Sequence, residues 1–457
     1  MPDRHQTLST TIRWSYDLLD ETAKALLAEL SAFRGGFSLD IAEHVCEVED
    51  DLLPPIALLT EHSLLRADVD AELGPRFTML GTIRRFARDR LEESDRRDRV
   101  LERHARSFVA LTERVGGPGG RQRAALDAIE VELDNIRAAF DWFVASADPE
   151  PVARAMGESW WFWWTRGYVK EGELWADRCL EAPNLGPESR SRLLVARAMF
   201  AIWSGEYELA VPAFVEAAET ARAVGDRRGL AYTDIGLGLV RAVTSSVADG
   251  RELIQRGTAS FDVLGDGAGA TTGLAALSWV QGITRQFDDT DETLRHALDR
   301  ARRDGSEVEI GITESALAQF QMAKRNTGSA IDLIARSLDR LSTARHIGST
   351  ILTLEVIAEL GIAAGETKAA VVILGATASI RSVMGTRVPP DADARLARLM
   401  AVARQQSCDD FVVAFQRGAR MTFPEAVSQG REVLERIGSV PRSSSSCAYT
   451  LGGYSNT

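Results

Sequence analysis

The chain has 457 residues, of which 45% are hydrophobic and 26% are charged. This balance is typical of a folded globular protein and excludes a disordered chain, and the length is too great for a single core. The formal net charge of -13 argues against binding to nucleic acid or anionic lipid along the whole chain, although it leaves room for a local basic patch.

Cysteine usage and the N-terminus indicate the compartment. The four cysteines, Cys46, Cys179, Cys408 and Cys447, lie far apart without a C-x-x-C pair, so they predict neither a zinc cage nor a disulfide framework. The N-terminus is polar, and charges interrupt the most apolar stretches elsewhere. We expect a cytoplasmic protein without a membrane partner.

Three short helices are predicted at the N-terminus, over residues 7–19, 21–33 and 38–46, from apolar residues at helical spacing. A fourth short helix follows a Pro-Pro pair, and two short strands, 64–69 and 76–79, then flank a turn that contains Gly and Pro. Helices followed by a small hairpin predict a winged helix.

One long helix is predicted from Thr82 to about Val115, with charges of both signs. Its residues Arg84, Arg85 and Arg88 are candidates for contact with DNA phosphates. The interleaved acids favour a different explanation, a solvated face with ion pairs four residues apart.

Beyond a glycine-rich break the chain is helical with a period near 40 residues. The small residues that open each second helix are separated by 38, 42, 40 and 40 positions. They are Ala210, Ala248, Thr290, Ala330 and Ala370. Such helix pairs resemble tetratricopeptide (TPR) units, which must stack on their neighbours to bury their apolar faces. We expect a solenoid with a concave groove.

The predicted fold is therefore mostly α, an N-terminal winged helix of three to four helices and a small β-hairpin followed by a TPR-like α-helical solenoid. Five parts are expected along the chain. They are a winged-helix domain (1–95), connecting helices with a Gly-rich break at 116–120 (96–145), TPR-like helical repeats (146–388), a C-terminal helical cap (389–437) and a disordered Ser-rich tail (438–457).

No motif predicts catalysis. A phosphate-binding loop needs G-x-x-x-x-G-K-[ST], and the glycine-rich stretch 265–273 lacks the lysine, so it is predicted to be a loop between repeats. The six histidines never show the i,i+4 spacing of a zinc helix, and no G-x-S-x-G elbow precedes a helix. We predict no catalytic residue, no metal site and no cofactor.

The string Trp160-Trp161-Phe162-Trp163-Trp164 is the most unusual feature of the sequence. Consecutive residues cover all sides of a helix, so packing in the repeat core is the favoured explanation. The outward residues remain candidates for stacking on a ligand or partner. The candidate partner-binding residues are Trp160, Trp161, Trp164 and Tyr207.

Several strings together resemble one family. They lie at residues 4–19, 30–39, 77–87 and 132–139, and further matches extend the resemblance to about residue 430. They resemble the part after the nucleotide-binding domain of LuxR-type and SARP-like bacterial regulators of the STAND (signal-transduction ATPase) class. The resemblance implies a winged helix that packs against an ATPase domain and repeats that sense a ligand or partner. A terminal helix-turn-helix often binds DNA in such proteins.

The sequence departs from that family pattern at three points. The chain begins at the winged helix without a P-loop domain, and a Ser-rich tail stands where a terminal helix-turn-helix is expected. Related ATPases have a Met-His-Asp string whose histidine senses the nucleotide phosphate. Met79-Leu80-Gly81 stands there in this chain, so the resemblance does not imply nucleotide sensing.

The leading hypothesis is a non-catalytic regulatory module whose repeat groove binds a partner protein or a small effector. One alternative is a DNA-binding regulator that uses the winged helix, although the net charge does not support it. A second alternative is the sensor half of a split ATPase, which acts on an ATPase domain in trans. A third is a truncated remnant of a longer regulator.

Overall fold

The computed structural model describes residues 2–47, 51–70, 74–114, 122–284, 290–388, 390–407 and 410–439. The predicted break at 116–120, nearly all of the predicted tail and two cysteines, Cys408 and Cys447, lie outside the described residues. Contacts divide the chain into two compact units. The first comprises residues 1–116, 123–159 and 178–189, and the second 117–122, 160–177 and 190–457. This division does not test the predicted domain boundaries, which stay predictions.

The first unit contains the winged helix. Its elements are α1 (Pro2–Asp17), α2 (Glu21–Leu30), β1 (Phe37–Ser38), α3 (Leu39–Val45), α4 (Leu53–Glu61), β2 (Arg66–Asp70) and β3 (Gly74–Thr78). The strands form an antiparallel sheet in the order β1-β3-β2, with Phe37 opposite Phe77. The winged helix is therefore confirmed, and β1 is an additional strand that sequence reasoning missed because it spans two residues.

Two helices replace the single long one that the sequence predicted over residues 82–115. They are α5 (Gly81–Glu92) and α6 (Arg97–Glu113), and the prediction of one helix is wrong. Between them the Ser94 hydroxyl donates to the Leu91 carbonyl over 2.9 Å and accepts from the Arg96 amide over 3.3 Å. A serine side chain that bonds to the backbone in this way competes with continuation of the helix.

Asn135 connects α8 to the winged helix within the first unit. The helices here are α7 (Gln122–Val131) and α8 (Leu133–Ala145), and Asn135 is fully buried. Its Oδ1 accepts from the Arg34 and Gly35 amides over 2.8 and 3.3 Å, and its Nδ2 donates to the Gly36 carbonyl over 2.9 Å. The side chain thus satisfies the backbone of the turn that leads into β1.

Glu132 extends this network to the wing. One carboxylate oxygen accepts from Asn135 Nδ2 over 2.8 Å, and the other lies 2.6 Å from Arg76 Nη1 on β3. The residues of the string 132–139 that resembled the family therefore have a structural role in this unit. They attach α8 to the turn and to the sheet of the winged helix.

The second unit is a TPR-like solenoid of helix pairs, as predicted. Residues 160–177 of this unit come from α9 (Glu150–Thr165) and α10 (Val169–Leu180). The pairs are α11 (Pro187–Trp203) with α12 (Tyr207–Val224), α13 (Arg227–Thr244) with α14 (Val247–Leu264), α15 (Gly267–Thr284) with α16 (Thr290–Asp304), α17 (Glu307–Ala323) with α18 (Thr327–Thr343), and α19 (Ile347–Ala363) with α20 (Thr367–Met384). Consecutive first helices pack together, as α13, α15, α17 and α19 show.

The repeats recur every 40 residues, more regularly than the sequence alone showed. Left-handed residues end many of the helices at multiples of 20 positions from one another. They are Gly205, Gly225, Gly265, Gly305, Arg325, Arg345, Gly365 and Gly385. Forty positions after Ala210 lies Gly250, so the earlier alignment of Ala248 is wrong by two residues.

Gly250 allows α14 to lie very close to α13. A Cβ atom on Gly250 would lie 2.6 Å from the Gly238 carbonyl oxygen, and one on Gly238 would lie 2.7 Å from the Gly250 oxygen. Two helices can approach in this way only where both lack a side chain at the crossing. An alanine at either position would push the two helices apart, because its methyl group would clash with the backbone of the other helix.

The glycine-rich stretch 265–273, predicted as a loop, is mostly helix. Gly265 is the left-handed C-cap of α14, and α15 already begins at Gly267. The Asp266 carboxylate accepts from the Gly269 amide over 2.9 Å, which caps the new helix. A two-residue turn is sufficient because the left-handed glycine reverses the chain at once.

Three helices follow the repeats, namely α21 (Pro390–Ser407), α22 (Asp410–Ala419) and α23 (Phe423–Ser439). The Phe411 and Phe415 rings of α22 stack at 6.1 Å. Among the described helices, α20 alone is long and apolar enough to cross a membrane by length and composition. It packs against α19, α22 and α23, which is the environment of a core helix.

The Asn135 network predicts a local loss of stability on substitution. Asn135→Leu removes the partners of the Arg34 amide and the Gly36 carbonyl, and we expect the first unit to lose about 3 kcal/mol of unfolding free energy. Hydrogen exchange of the 33–38 segment should accelerate in this variant. The control Asp134→Ala changes an exposed neighbour on the same helix, and unchanged exchange in both variants would contradict this role.

Candidate functional site

The tryptophan string of α9 divides into core and pocket residues. Phe162 and Trp163 are fully buried in the packed interior. Trp160, Trp161 and Trp164 instead line a pocket on the second unit. The structure therefore brings three of the four predicted partner-binding residues to one concave site.

Tryptophan rings from two helices form one wall of the pocket. The indoles of Trp164 and Trp203 stack at 4.1 Å with an interplanar angle of 7°. Trp160 lies 5.7 Å from Trp203 and packs edge-on against Tyr232 at 5.9 Å. Rigid aromatic groups of this kind present a large contact area at little entropic cost.

The pocket is a local concavity formed by side chains from several helices of the second unit. Its aromatic lining consists of Trp160, Trp161, Trp164, Trp203, Tyr232 and Trp279. Met199, Ile202, Ile235, Leu239 and Ile312 add aliphatic surface. The wall is therefore mainly apolar.

The residues that sequence reasoning missed lie on the first helices of successive repeats. Residues 40 positions apart occupy equivalent places on these helices, so they face the same wall. Two such series line the pocket, Met199 with Leu239 and Trp279, and Tyr232 with Thr272 and Ile312. The 40-residue spacing of aromatic and aliphatic residues was the signal that could have identified Tyr232 and Trp279.

Two buried ionisable groups lie at this site. Burial raises the pKa of Glu309, which lines the pocket, to about 7. Burial lowers the pKa of His346 to about 3, and its ring lies 5.5 Å from that of Trp161. His346 Nδ1 accepts from the Ser349 amide over 3.2 Å and caps α19, so this histidine is a neutral structural residue.

Tyr207, the fourth predicted partner-binding residue, is not among those that line the pocket. It is half-buried at the start of α12, and burial raises the pKa of its phenol to about 12. Within the described part of the chain its hydroxyl makes no hydrogen bond. A role of Tyr207 in partner binding stays a prediction.

The three arginines proposed for DNA contact lie on α5 of the first unit. Arg84 donates to the backbone carbonyls of Arg34 and Met79 over 2.8 and 3.0 Å. Arg88 pairs with Glu92 at 2.9 Å, whereas Arg85 is exposed. Two of the three guanidinium groups thus already have partners in the fold. Their contact with DNA stays a prediction.

Comparison with known proteins finds similarity to transcriptional regulators over part of the chain. Residues 19–92 match the family described as "Winged helix-turn-helix domain". Over 242 residues the chain is 32% identical to "Putative HTH-type transcriptional regulator Rv0890c" of Mycobacterium tuberculosis (strain ATCC 25618 / H37Rv). This match covers 50% of the chain and 27% of that relative. The chain thus combines a winged helix-turn-helix with a TPR-like solenoid and is similar to HTH-type transcriptional regulators.

Two further similarities are more limited. The chain is 31% identical over 121 residues to "Uncharacterized protein Rv0894" of the same organism, covering 25% of the chain and 30% of that relative. The matches span less than a third of the length of either curated relative. The chain also has a structural similarity to a solved STAND protein with a tetratricopeptide repeat sensor, PH0952 from Pyrococcus horikoshii. The superposition covers 92% of this chain and 66% of the PH0952 chain, at 14% identity and a TM-score of 0.44.

The tryptophan stack predicts a sensitive position at Gly348. A Cβ atom there would lie 2.5 Å from the Trp164 ring, so Gly348→Ala must displace the indole from Trp203. We expect a loss of about 1–3 kcal/mol and a weaker near-UV circular dichroism signal from the stacked indoles. Gly438→Ala, which places its Cβ in open space, is the control. An unchanged spectrum in Gly348→Ala would contradict the described stacking.

Proposed function

We propose that the chain is the non-catalytic sensor part of a cytoplasmic transcriptional regulator of the LuxR-type STAND class. The winged helix-turn-helix match and the similarity to HTH-type regulators support the general class. The observation that carries the sensor role is the aromatic pocket on the first helices of the repeats. We propose that a small effector binds there and that the repeats transmit its presence to the rest of the regulator.

A small effector fits the pocket better than a peptide does. A peptide partner needs an extended groove in which several side chains are anchored. The described pocket is instead a local concavity on whose single space several aromatic side chains converge. Concave, mainly apolar sites with a few polar groups are typical of small-molecule binding. The family resemblance further suggests an ATPase domain as the partner of the winged helix, in the same polypeptide or in trans.

Filling the pocket tests the sensor role. The full chain would be titrated with a panel of small aromatic and alkyl compounds, neutral and charged, while tryptophan emission and Tm are followed. We expect at least one compound to shift the emission saturably and to raise Tm, because a ligand that binds the folded state stabilises it. Ala276→Phe places a ring in the pocket and should abolish both responses.

Ala259→Phe is the matched control, because Ala259 is exposed on α14 and does not line the pocket. It should bind the same compounds as the unmodified chain. No saturable response across the panel, or an equal response in the Ala276→Phe variant, would contradict a small-molecule sensor at this site.

A second candidate function is DNA binding through the winged helix, which the helix-turn-helix match favours. The second helix of a helix-turn-helix pair reads base edges with Arg, Lys, Asn or Gln side chains. The corresponding helix α4 has the sequence LPPIALLTE, without any of these residues. Its Leu53 is 54% exposed, and the Thr60 hydroxyl donates to the Ile56 carbonyl. These features favour contact with protein over base recognition.

Gel retardation distinguishes these two uses of the winged helix. We expect no salt-dependent retardation of random-sequence duplexes by the full chain, since α4 offers no cationic side chain. Retardation that the double variant Arg85→Glu with Arg88→Glu abolishes would establish DNA binding instead. The double variant Arg302→Glu with Arg303→Glu, on the repeats, is the control for the change in net charge.

A further inference from the structure

Glu309 is an unusual residue for the pocket that it lines. It lies in the first turn of α17 with 3% of its surface exposed. Its carboxylate accepts a hydrogen bond from the backbone amide of Glu309 itself, and the carboxylate of Asp304 repels it and raises its pKa. An ionised carboxylate in such surroundings is costly unless a cation is brought to it.

Two other buried carboxylates among the described residues have arginine partners. Glu355 is held by Arg381 through contacts of 2.9 and 3.0 Å, and Glu314 contacts Arg336 and Arg340 at 2.9 and 3.2 Å. No cation among the described residues contributes to the environment of Glu309. Glu309 therefore departs from the way in which this fold neutralises buried acids.

The pocket wall supplies no cation either. The described residues that line it include no lysine, arginine or histidine. Arg228 lies 5.6 Å from the Tyr232 ring, but its guanidinium also binds Asp266 at 2.9 Å. The indoles of Trp160, Trp161 and Trp279 line the same pocket as Glu309. Indole rings attract cations through their quadrupole, most strongly where water is excluded.

We propose that the effector of this pocket is a small organic cation, an ammonium or quaternary ammonium compound, whose charge lies between the Glu309 carboxylate and the indole rings. This inference rests on the proposed function, because it names the chemical class of the effector of the same site. The bound cation supplies the counter-charge that arginines supply to Glu314 and Glu355.

A metal ion does not fit the same site. Ca²⁺ and Mg²⁺ require several oxygen ligands and prefer carboxylates, whereas the pocket offers one carboxylate and the hydroxyls of Thr272 and Ser349 in a lining that is mainly indole and aliphatic. Within the described residues there is no cluster of three or more His, Cys, Asp or Glu side chains able to hold a metal ion. An organic cation satisfies both the charge of Glu309 and the apolar wall.

Choline and its uncharged isostere 3,3-dimethyl-1-butanol test the inference, because they share a shape and differ in charge. Tryptophan emission of the full chain would be titrated with each compound at about pH 8, where Glu309 is ionised. We expect choline to bind at least about ten-fold more tightly than the isostere. Glu309→Gln should abolish this preference and leave the affinity for the isostere unchanged.

Glu307→Gln is the matched control. Glu307 lies two residues away on α17 and pairs with Arg340 outside the pocket, so its substitution should leave the preference for choline intact. Glu309→Gln should also raise Tm by about 2–4 °C at that pH without ligand, because it removes an ionised group from an apolar site. This rise shows that the variant is folded and that the carboxylate lacks a partner.

Three outcomes would overturn the inference. They are equal binding of choline and the isostere, a preference for choline that survives Glu309→Gln, and binding of neither compound. Equal binding would leave the proposed sensor function in place with a neutral effector. Failure of the whole compound panel described above would instead remove the sensor function itself.

Discussion

The regular spacing of the repeats is the constraint on which the second unit depends. Helices of nearly equal length end in left-handed residues about every 20 positions, so first helices recur every 40 residues in the same orientation. Residues at equivalent positions then face one wall, as Tyr232, Thr272 and Ile312 do. A change of one residue in a helix would rotate the following positions by about 100° and remove them from the wall.

Electrostatics distinguishes the proposed effector pocket from other parts of the second unit. Buried acids such as Glu314 and Glu355 have arginine partners, and this pairing offsets the cost of desolvation. Glu309, in the aromatic pocket, differs from these two acids, and burial raises its pKa to about 7. Local departures from the rules that stabilise a fold are expected at functional sites, where a ligand supplies what the protein lacks.

The first unit shows how a winged helix can serve as a structural part. Asn135 and Glu132 of α8 bond to its turn and its wing, and Arg84 donates to two of its carbonyls. The helix that would read DNA is apolar. These side chains stabilise the winged helix by contacts within the first unit. The side chains of α4 are not used in these contacts, and their chemistry favours contact with protein over contact with DNA.

The sequence by itself determined most of the helices, the order of elements in the winged helix and the approximate repeat length, because these follow from local periodicity and from glycine in left-handed turns. It did not show the break between α5 and α6 or the early start of α15, which depend on single side chains and on one left-handed glycine. Only the tertiary structure decided that Trp160 and Trp164 face a pocket while Trp163 is buried, and that Glu309 lies among them. The pocket joins residues from 160 to 349. Helical spacing cannot show which faces of such distant helices meet, since packing between repeats sets that arrangement.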